Sequence, residues 1–512
     1  MDAGDFGFVG GAYEAPDMYQ DSQRCINWYV EVSANGASKT PTALLGTPGL
    51  DRILNFGLIS DDIAVPYSGG HRGAWVLPGG TTALYVVGNR LFLVTMIVPA
   101  TSSSIAQFRV GLATGGTLLT NSGPVCIRDN GNGGYAVIVD GPNGYLYNIA
   151  TNTMTLIVDP AFYGADRVAF IDGWWIFNKP GTQIFYTNAP TPYTTTFAGA
   201  FFALKDSNSD NLITLHELNR EVWLIGERSY EVWYNAGGAN FAFSRVAGVS
   251  PNVGCAAVNS ICRVGSGALV WLARNEQGEN YVVRSVQYGT EVISTPAINK
   301  AIASYPLVSD AYAMSYEEDG HVFYVLTFPT ADKTWVFDAT VPAEYAWHQR
   351  ASYDNNGTPH CWKVGTLVNF QNIRIGGDRA SQNGYQVSRQ FFTEYDTPLI
   401  SSRRCPHIWS REDRKRIFAA ALQIEFAPGV GAATGQGVNP QAMLRVSYDY
   451  GATFGTQYFM SVGRQGEFKN RCIRRKLSVG RDIVFEVTFS DPTNRDVIGA
   501  TLTGSREESE AA

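Results

Sequence analysis

The sequence predicts an all-β protein: a β-propeller-like body with an extended N-terminal arm and a C-terminal antiparallel β-sandwich. Three observations carry this. Glycine (53 residues) and aromatics (12%) are abundant in the 512-residue chain while charged residues reach only 17%, the palette of strands and tight turns and not of long helices. From residue 66 to about 390, runs of β-branched and aromatic residues recur in pairs separated by Gly, Asn or Asp turns. Beyond residue 416 a second block of strands follows without that rhythm. The length also exceeds the ~250–300 residues at which one hydrophobic core stops growing, so more than one structural unit is expected.

Residues 1–60 read as an extended arm. They contain Gly10-Gly11, Pro16, the polar stretch SANGASKTPT and the turn Gly46-Thr47-Pro48-Gly49, with one strand over residues 26–32. No positively charged leader precedes an apolar core, so a secretory signal is not expected and synthesis in a cytoplasm is.

Residues 61–400 form the propeller-like unit. TTALYVVGNRLFLVT turns at Gly88-Asn89, YAVIVDGPNGYLYNI at Asp140-Gly141 and Asn143-Gly144, and RVAFIDGWWIFN at Asp172-Gly173. REVWLIGERSYEVWYN turns near Gly226, and two later copies turn at Gln277-Gly278 and Asp319-Gly320. These positions approximate the ~40–50 residues that one four-stranded blade consumes. Runs such as Val222-Trp223-Leu224-Ile225 are apolar on both faces of a strand, so each small sheet needs a neighbour on either side. Radial stacking supplies those neighbours and leaves few open edges. A pair of stacked sandwiches is the competing architecture.

A connector is placed at 401–416, marked by Pro406 and the charged run Arg411-Glu412-Asp413-Arg414-Lys415-Arg416. Residues 417–504 form the sandwich, with strands in ALQIEF, MLRVSYDY, IRRKLSVG and DIVFEVTFSD and a Gly-rich loop from Gly429 to Gly437. Residues 505–512 read as a disordered tail.

Charge and motif content narrow the chemistry. A net charge of −7 and a pI near 5.5 argue against gripping nucleic acid through its phosphates. No apolar segment approaches the ~20 residues of a membrane span, so a soluble protein is expected. Cys25, Cys126, Cys255, Cys262, Cys361, Cys405 and Cys472 are scattered without a CxxC pair, which fits reduced, buried thiols. His71, His216, His321, His348, His360 and His407 show no metal-binding spacing. The loop GVGAATGQG lacks the Lys-Ser/Thr of a phosphate loop, and GxSxG is missing. The basic clusters Arg411/Arg414/Lys415/Arg416 and Arg471/Arg474/Arg475/Lys476 read as solvated strand ends or as a docking surface for another subunit. No catalytic, cofactor-binding or metal-ligating residue is assigned, and no cofactor is expected.

Ser447-Tyr448-Asp449-Tyr450-Gly451-Ala452-Thr453-Phe454 is similar to the Asp-box turn of sialidase-like propellers, in which the Asp caps backbone amides. It opens an alternative reading, a glycan-binding or glycan-hydrolysing β-propeller protein. Hydrolysis needs a Tyr/Glu nucleophile or paired carboxylates in one pocket, and the single box lies outside the propeller-like repeats.

Several phrases, taken in order, resemble the packaged-DNA stabilisation proteins of short-tailed bacteriophages, also called tail hub or nozzle proteins. They are Gln23-Arg24-Cys25-Ile26-Asn27-Trp28-Tyr29, Gly46-Thr47-Pro48-Gly49-Leu50, Leu84 to Asn89, Val222 to Trp233, Gly320 to Tyr324, Thr334 to Asp338, and the C-terminal unit through Phe489-Ser490-Asp491-Pro492. The resemblance covers nearly the whole chain. It implies a structural, non-enzymatic virion tail subunit in a six-fold homo-oligomeric ring below the portal and its adaptor. Such a ring extends the DNA channel and helps retain packaged DNA until ejection. It also implies a tail needle or plug and tail fibres or tailspikes as neighbours. No catalytic residues come with the family.

Overall fold

The computed structural model describes residues 6–35, 38–59, 63–98, 107–131, 134–188, 196–238, 241–410 and 415–506. Among them is a single helix, Pro296–Ala303, begun by Thr295, whose hydroxyl accepts from the Ile298 amide, and by proline in its first turn.

The strands form seven antiparallel blades around an axis. Their innermost strands are His71–Val76, Cys126–Asp129, Val168–Ile171, Leu212–Leu218, Cys262–Val264, Tyr312–Glu318 and Val364–Phe370, in contact one with the next and the last with the first, except that the fourth and fifth blades meet through Glu221–Gly226 and Gly254–Cys255. The both-faces-apolar pattern has its expected consequence. In the fourth blade Val222 and Leu224 face the third, packing with Ile176 and Phe185, while Trp223 and Ile225 face the fifth, packing with Trp271. The core is thus a set of wedges between neighbouring sheets. The GERSY phrase of that blade is held from below: Asp210 accepts from the amides of Arg228 and Ser229, and Lys205 donates to Asp210 and to the Ser229 hydroxyl.

The seventh blade closes the ring with a borrowed strand. Val364–Phe370, Ile373–Asp378 and Asn383–Ser388 are joined by Gly49–Asn55, in register Val387↔Leu50 and Gly384↔Leu54. This closure excludes two stacked sandwiches for the body. It also corrects the reading of residues 1–60 as an arm. That segment supplies a propeller strand and three sandwich strands, Ser22–Ile26, Trp28–Val32 and Thr42–Gly46. Their partners lie hundreds of residues away, so no local hairpin signal marks them.

The sandwich has two sheets. One contains Ser22–Ile26, Ser401–Arg404, Asp482–Phe489, Gln441–Ser447 and Tyr458–Ser461. The other contains Trp28–Val32, Thr42–Gly46, Val497–Arg506, Ile417–Phe426 and Cys472–Arg475. Trp28, Leu44, Leu422, Leu444, Phe485 and Val497 are buried in the core they share. The connector expected at 401–416 is partly strand: Ser401–Arg404 and Ile408–Trp409 both pair with Asp482–Phe489 on either side of Pro406. The composition Ser-Ser-Arg-Arg hid this, since strand propensity there is overridden by burial. The tail read at 505–512 begins inside the strand Val497–Arg506, and residues 507–512 lie outside the described residues.

Candidate functional site

A dense set of buried hydrogen bonds holds the junction where the chain crosses between its two domains. Asn27 sits between two strands with φ 55°, a left-handed conformation that Asn tolerates better than most residues. The kink sends Ser22–Ile26 and Trp28–Val32 into opposite sheets. Its fully buried side chain donates to the carbonyls of Ala351 (2.8 Å) and Ile400 (2.7 Å) and accepts from the Ala351 amide (3.0 Å). Its own carbonyl accepts from the Thr47 amide and the Ser401 hydroxyl. One residue therefore binds the sandwich, the edge of the sixth blade and the Gly46–Gly49 turn.

Buried arginines complete the junction. Arg350, carried by the sixth blade, donates to the Pro48 carbonyl and lies over the Trp362 ring at 3.9 Å. Arg495, from the sandwich, donates to the Thr47 carbonyl at 2.8 Å. The Gly46-Thr47-Pro48-Gly49 turn is thus gripped from both domains. A Cβ on Gly49 would stand 2.3 Å from the Phe391 carbonyl, so only glycine fits there. Arg389 adds an ion pair to Asp496 at 3.0 Å, again across the junction. Arg403 straps the chain start, donating to Phe8 O (2.7 Å), Gly11 O (2.8 Å) and Gln23 Oε1 (2.6 Å).

Two histidines tie the N-terminal segment down by charge. His321 donates from Nδ1 to Asp338 (2.6 Å) and from Nε2 to Glu31 (2.6 Å). His407 donates from Nδ1 to Asp482 (2.7 Å) and from Nε2 to the Met18 carbonyl (3.0 Å). Each ring has acceptors at both nitrogens, which requires the imidazolium form. Burial works against that charge at His321, but the Asp338 and Glu31 hydrogen bonds outweigh it and hold the group above its ordinary value. At His407 the Asp482 hydrogen bond leads and burial opposes it, with the same upward result. By contrast, burial drives His71 down to about 4 and His348 to about 3.

A second candidate is the cavity of about 950 Å³ on the propeller axis, lined by the innermost strands. In an acidic protein it is basic, with Arg72, Arg128, Arg167, Arg263 and Arg379 against Glu217 and Asp310. Arg128 meets Glu217 at 3.0 Å and lies over Trp75 at 4.4 Å. Burial opposes the Glu217 charge, yet Arg128 foremost, with Arg167, pulls it down to about 2. His216, lowered to about 4 chiefly by burial, is neutral. Sequence reading missed this cluster because each arginine belongs to a different blade. Knowing which strand of each blade is innermost would have exposed it.

The other singled-out residues resolve into structural roles or open surface. In the Asp box, Asp449 accepts from the Thr453 amide (2.9 Å) and hydroxyl, and the Ser447 hydroxyl donates to it at 2.6 Å. Those hydrogen bonds pull its carboxyl down to about 2. Arg404 and Arg445 cover the Phe454 ring. The box pins the hairpin between Gln441–Ser447 and Tyr458–Ser461. The loop from Gly429 to Gly437 is closed by a hydrogen bond from the Ala432 amide to the Gly437 carbonyl. In the second basic cluster, Arg471 donates to Gln423, Arg474 covers Tyr458 at 4.0 Å, and Arg475 and Lys476 are exposed. In the first, Arg411 and Arg414 lie outside the described residues. All seven cysteines are unpaired. Among the described residues no group of three His, Cys, Asp or Glu side chains is placed to hold a metal ion, and no helix is long and apolar enough to cross a membrane.

The described residues thus form a closed propeller joined to a sandwich through a dense buried junction. Comparison with protein-family models gives the same two parts. Residues 119–391 match the model described as bacteriophage P22 Gp10, beta-propeller, and residues 405–505 match the one described as bacteriophage P22 Gp10, beta-sandwich. The chain belongs to the bacteriophage P22 Gp10 family and is a structural phage protein. No curated protein matches it. Among solved structures, the N-terminal domain of Nup159 is 7% identical with a TM-score of 0.39, over 72% of this chain and 99% of that one. The extracellular domain of the one-component system BT4673 from B. thetaiotaomicron is 12% identical with a TM-score of 0.40, over 93% of this chain and 61% of that one. YCF48 bound to D1 peptide is 13% identical with a TM-score of 0.36, over 67% and 99%.

Proposed function

We propose that this chain is the subunit of a tail nozzle: a ring, six-fold in symmetry, that sits below the portal and adaptor, prolongs the DNA channel and holds the packaged genome until ejection. The observation that carries the reading is family membership across both domains, joined by a junction built for rigidity. A pressurised channel wall needs parts that do not move against one another. The propeller axis is not that channel, because a cavity of about 950 Å³ is the size of a small-molecule site and far too small for a duplex. In this reading DNA runs between subunits, past a chain of net charge −7 whose acidity keeps phosphates from sticking. A needle or plug and fibres or tailspikes are the further neighbours, and the protein is made in the host cytoplasm before joining the virion tail.

Mass photometry and electron microscopy of purified protein, alone and with the adaptor, test this. Closed rings of six copies are expected with the adaptor present. A strict monomer in both samples overturns the reading, and saccharide release from a glycoside panel would favour a glycan-active protein instead.

A further inference from the structure

The axial cavity holds more positive charge than the protein neutralises. Of its five arginines, only Arg128 has a carboxylate partner among the described residues, Glu217. Arg72 is occupied by backbone, donating to the carbonyls of Gly88, Thr120, Ser122 and Gly123. Arg167 is different. It projects from the start of the third blade, and its Nε is buried without a hydrogen-bond partner. Its charge reaches His216 and Glu217 of the fourth blade and Cys262 of the fifth, which places it on the side of the cavity facing those two blades. Arg263, next to Cys262, spends one donor on the Ser266 carbonyl and remains exposed. Guanidinium groups gathered without counter-ions repel one another, and a buried N–H left unpaired is destabilising. Both penalties vanish when an anion with several acceptor oxygens enters, and planar guanidinium forks match such oxygens in pairs.

We propose that the axial cavity is a binding site for a small multivalent oxyanion of the phosphate class, held by Arg167 and Arg263 with the Arg128–Glu217 pair as its fixed wall. The site is independent of the ring reading, since it lies inside one propeller. Inorganic phosphate, pyrophosphate and a mononucleotide share the chemistry and fit the volume.

Isothermal titration and thermal unfolding of the full chain test it, with sodium pyrophosphate and phosphate compared to sodium chloride at equal ionic strength. One pyrophosphate per chain is expected, with a rise in thermal midpoint beyond that in chloride. Arg167→Gln combined with Arg263→Gln should weaken binding at least ~10-fold, as loss of charge-assisted hydrogen bonds does. Arg475→Gln, on the exposed sandwich surface, should leave it unchanged. If the double variant fails to fold, Arg263→Gln alone carries the test, because that side chain is exposed. Parallel titrations with AMP, a duplex oligonucleotide and a poly-glutamate peptide separate the sources. AMP binding alongside pyrophosphate supports the site. Duplex or poly-glutamate binding without pyrophosphate binding overturns it, as does an unchanged affinity in the variants or no effect beyond chloride.

Discussion

Replacing Asn27 by alanine removes three buried side-chain hydrogen bonds and puts a residue ill suited to φ 55° at the strand kink. With the orphaned Ala351 amide and Ile400 carbonyl included, a loss of about 3–5 kcal/mol is expected. Denaturant unfolding measures it, and hydrogen exchange should show residues 22–32 and 349–353 losing protection together. The two clamping histidines give the junction a pH dependence. Their folded pKa values lie above the ordinary ~6.5, so their stabilisation is complete below about 6.5 and is lost as pH climbs through the raised values. The difference in thermal midpoint between the native chain and His321→Gln should therefore be largest near pH 6 and shrink toward pH 9. A difference that grows over that range contradicts the imidazolium assignment. Neither residue was legible in the sequence as special, because Glu31, Asp338 and Asp482 come from three distant segments.

At the level of elements, the turns whose chemistry is local were readable and those whose chemistry is not were missed. Asp172-Gly173 and Asp319-Gly320 place an Asp and a Gly at positive φ, a pairing visible in the sequence. The matching turn of the seventh blade is Gln371-Asn372, also at positive φ (53° and 64°), and Gln carries no turn signal. That blade stayed hidden for a second reason, since its fourth strand is Gly49–Asn55. The closing strand contributes Leu54, buried with Phe56 and Phe370 between the seventh and first blades. Leu54→Ala should cost about 2–5 kcal/mol through lost burial and the cavity left behind. Proteolysis at native conditions should then cut near residues 383–388, where the unpaired edge is released. An unaltered cleavage pattern would mean that the ring does not depend on this strand.

For the whole molecule, composition and periodicity were enough for a propeller followed by a sandwich, because blades repeat and each repeat shows its own hairpin. Blade number, closure and the axial arginines depend on which strand is innermost, and that is set by packing across hundreds of residues. The borrowed strand has one more consequence, for the order in which the molecule is made. Gly49–Asn55 leaves the ribosome early, yet its partner Asn383–Ser388 follows about 330 residues later. At ~5–20 residues per second, that is a wait on the order of half a minute. Over this interval the first blades can form but the ring cannot shut, and the strands destined for the sandwich wait longer, until Val497–Arg506 emerges. The ring can shut once Asn383–Ser388 is out, whereas the sandwich is completed last, so a chain truncated by its final strand would keep the borrowed propeller strand but leave Thr42–Gly46 and Ile417–Phe426 without the neighbour that joins them.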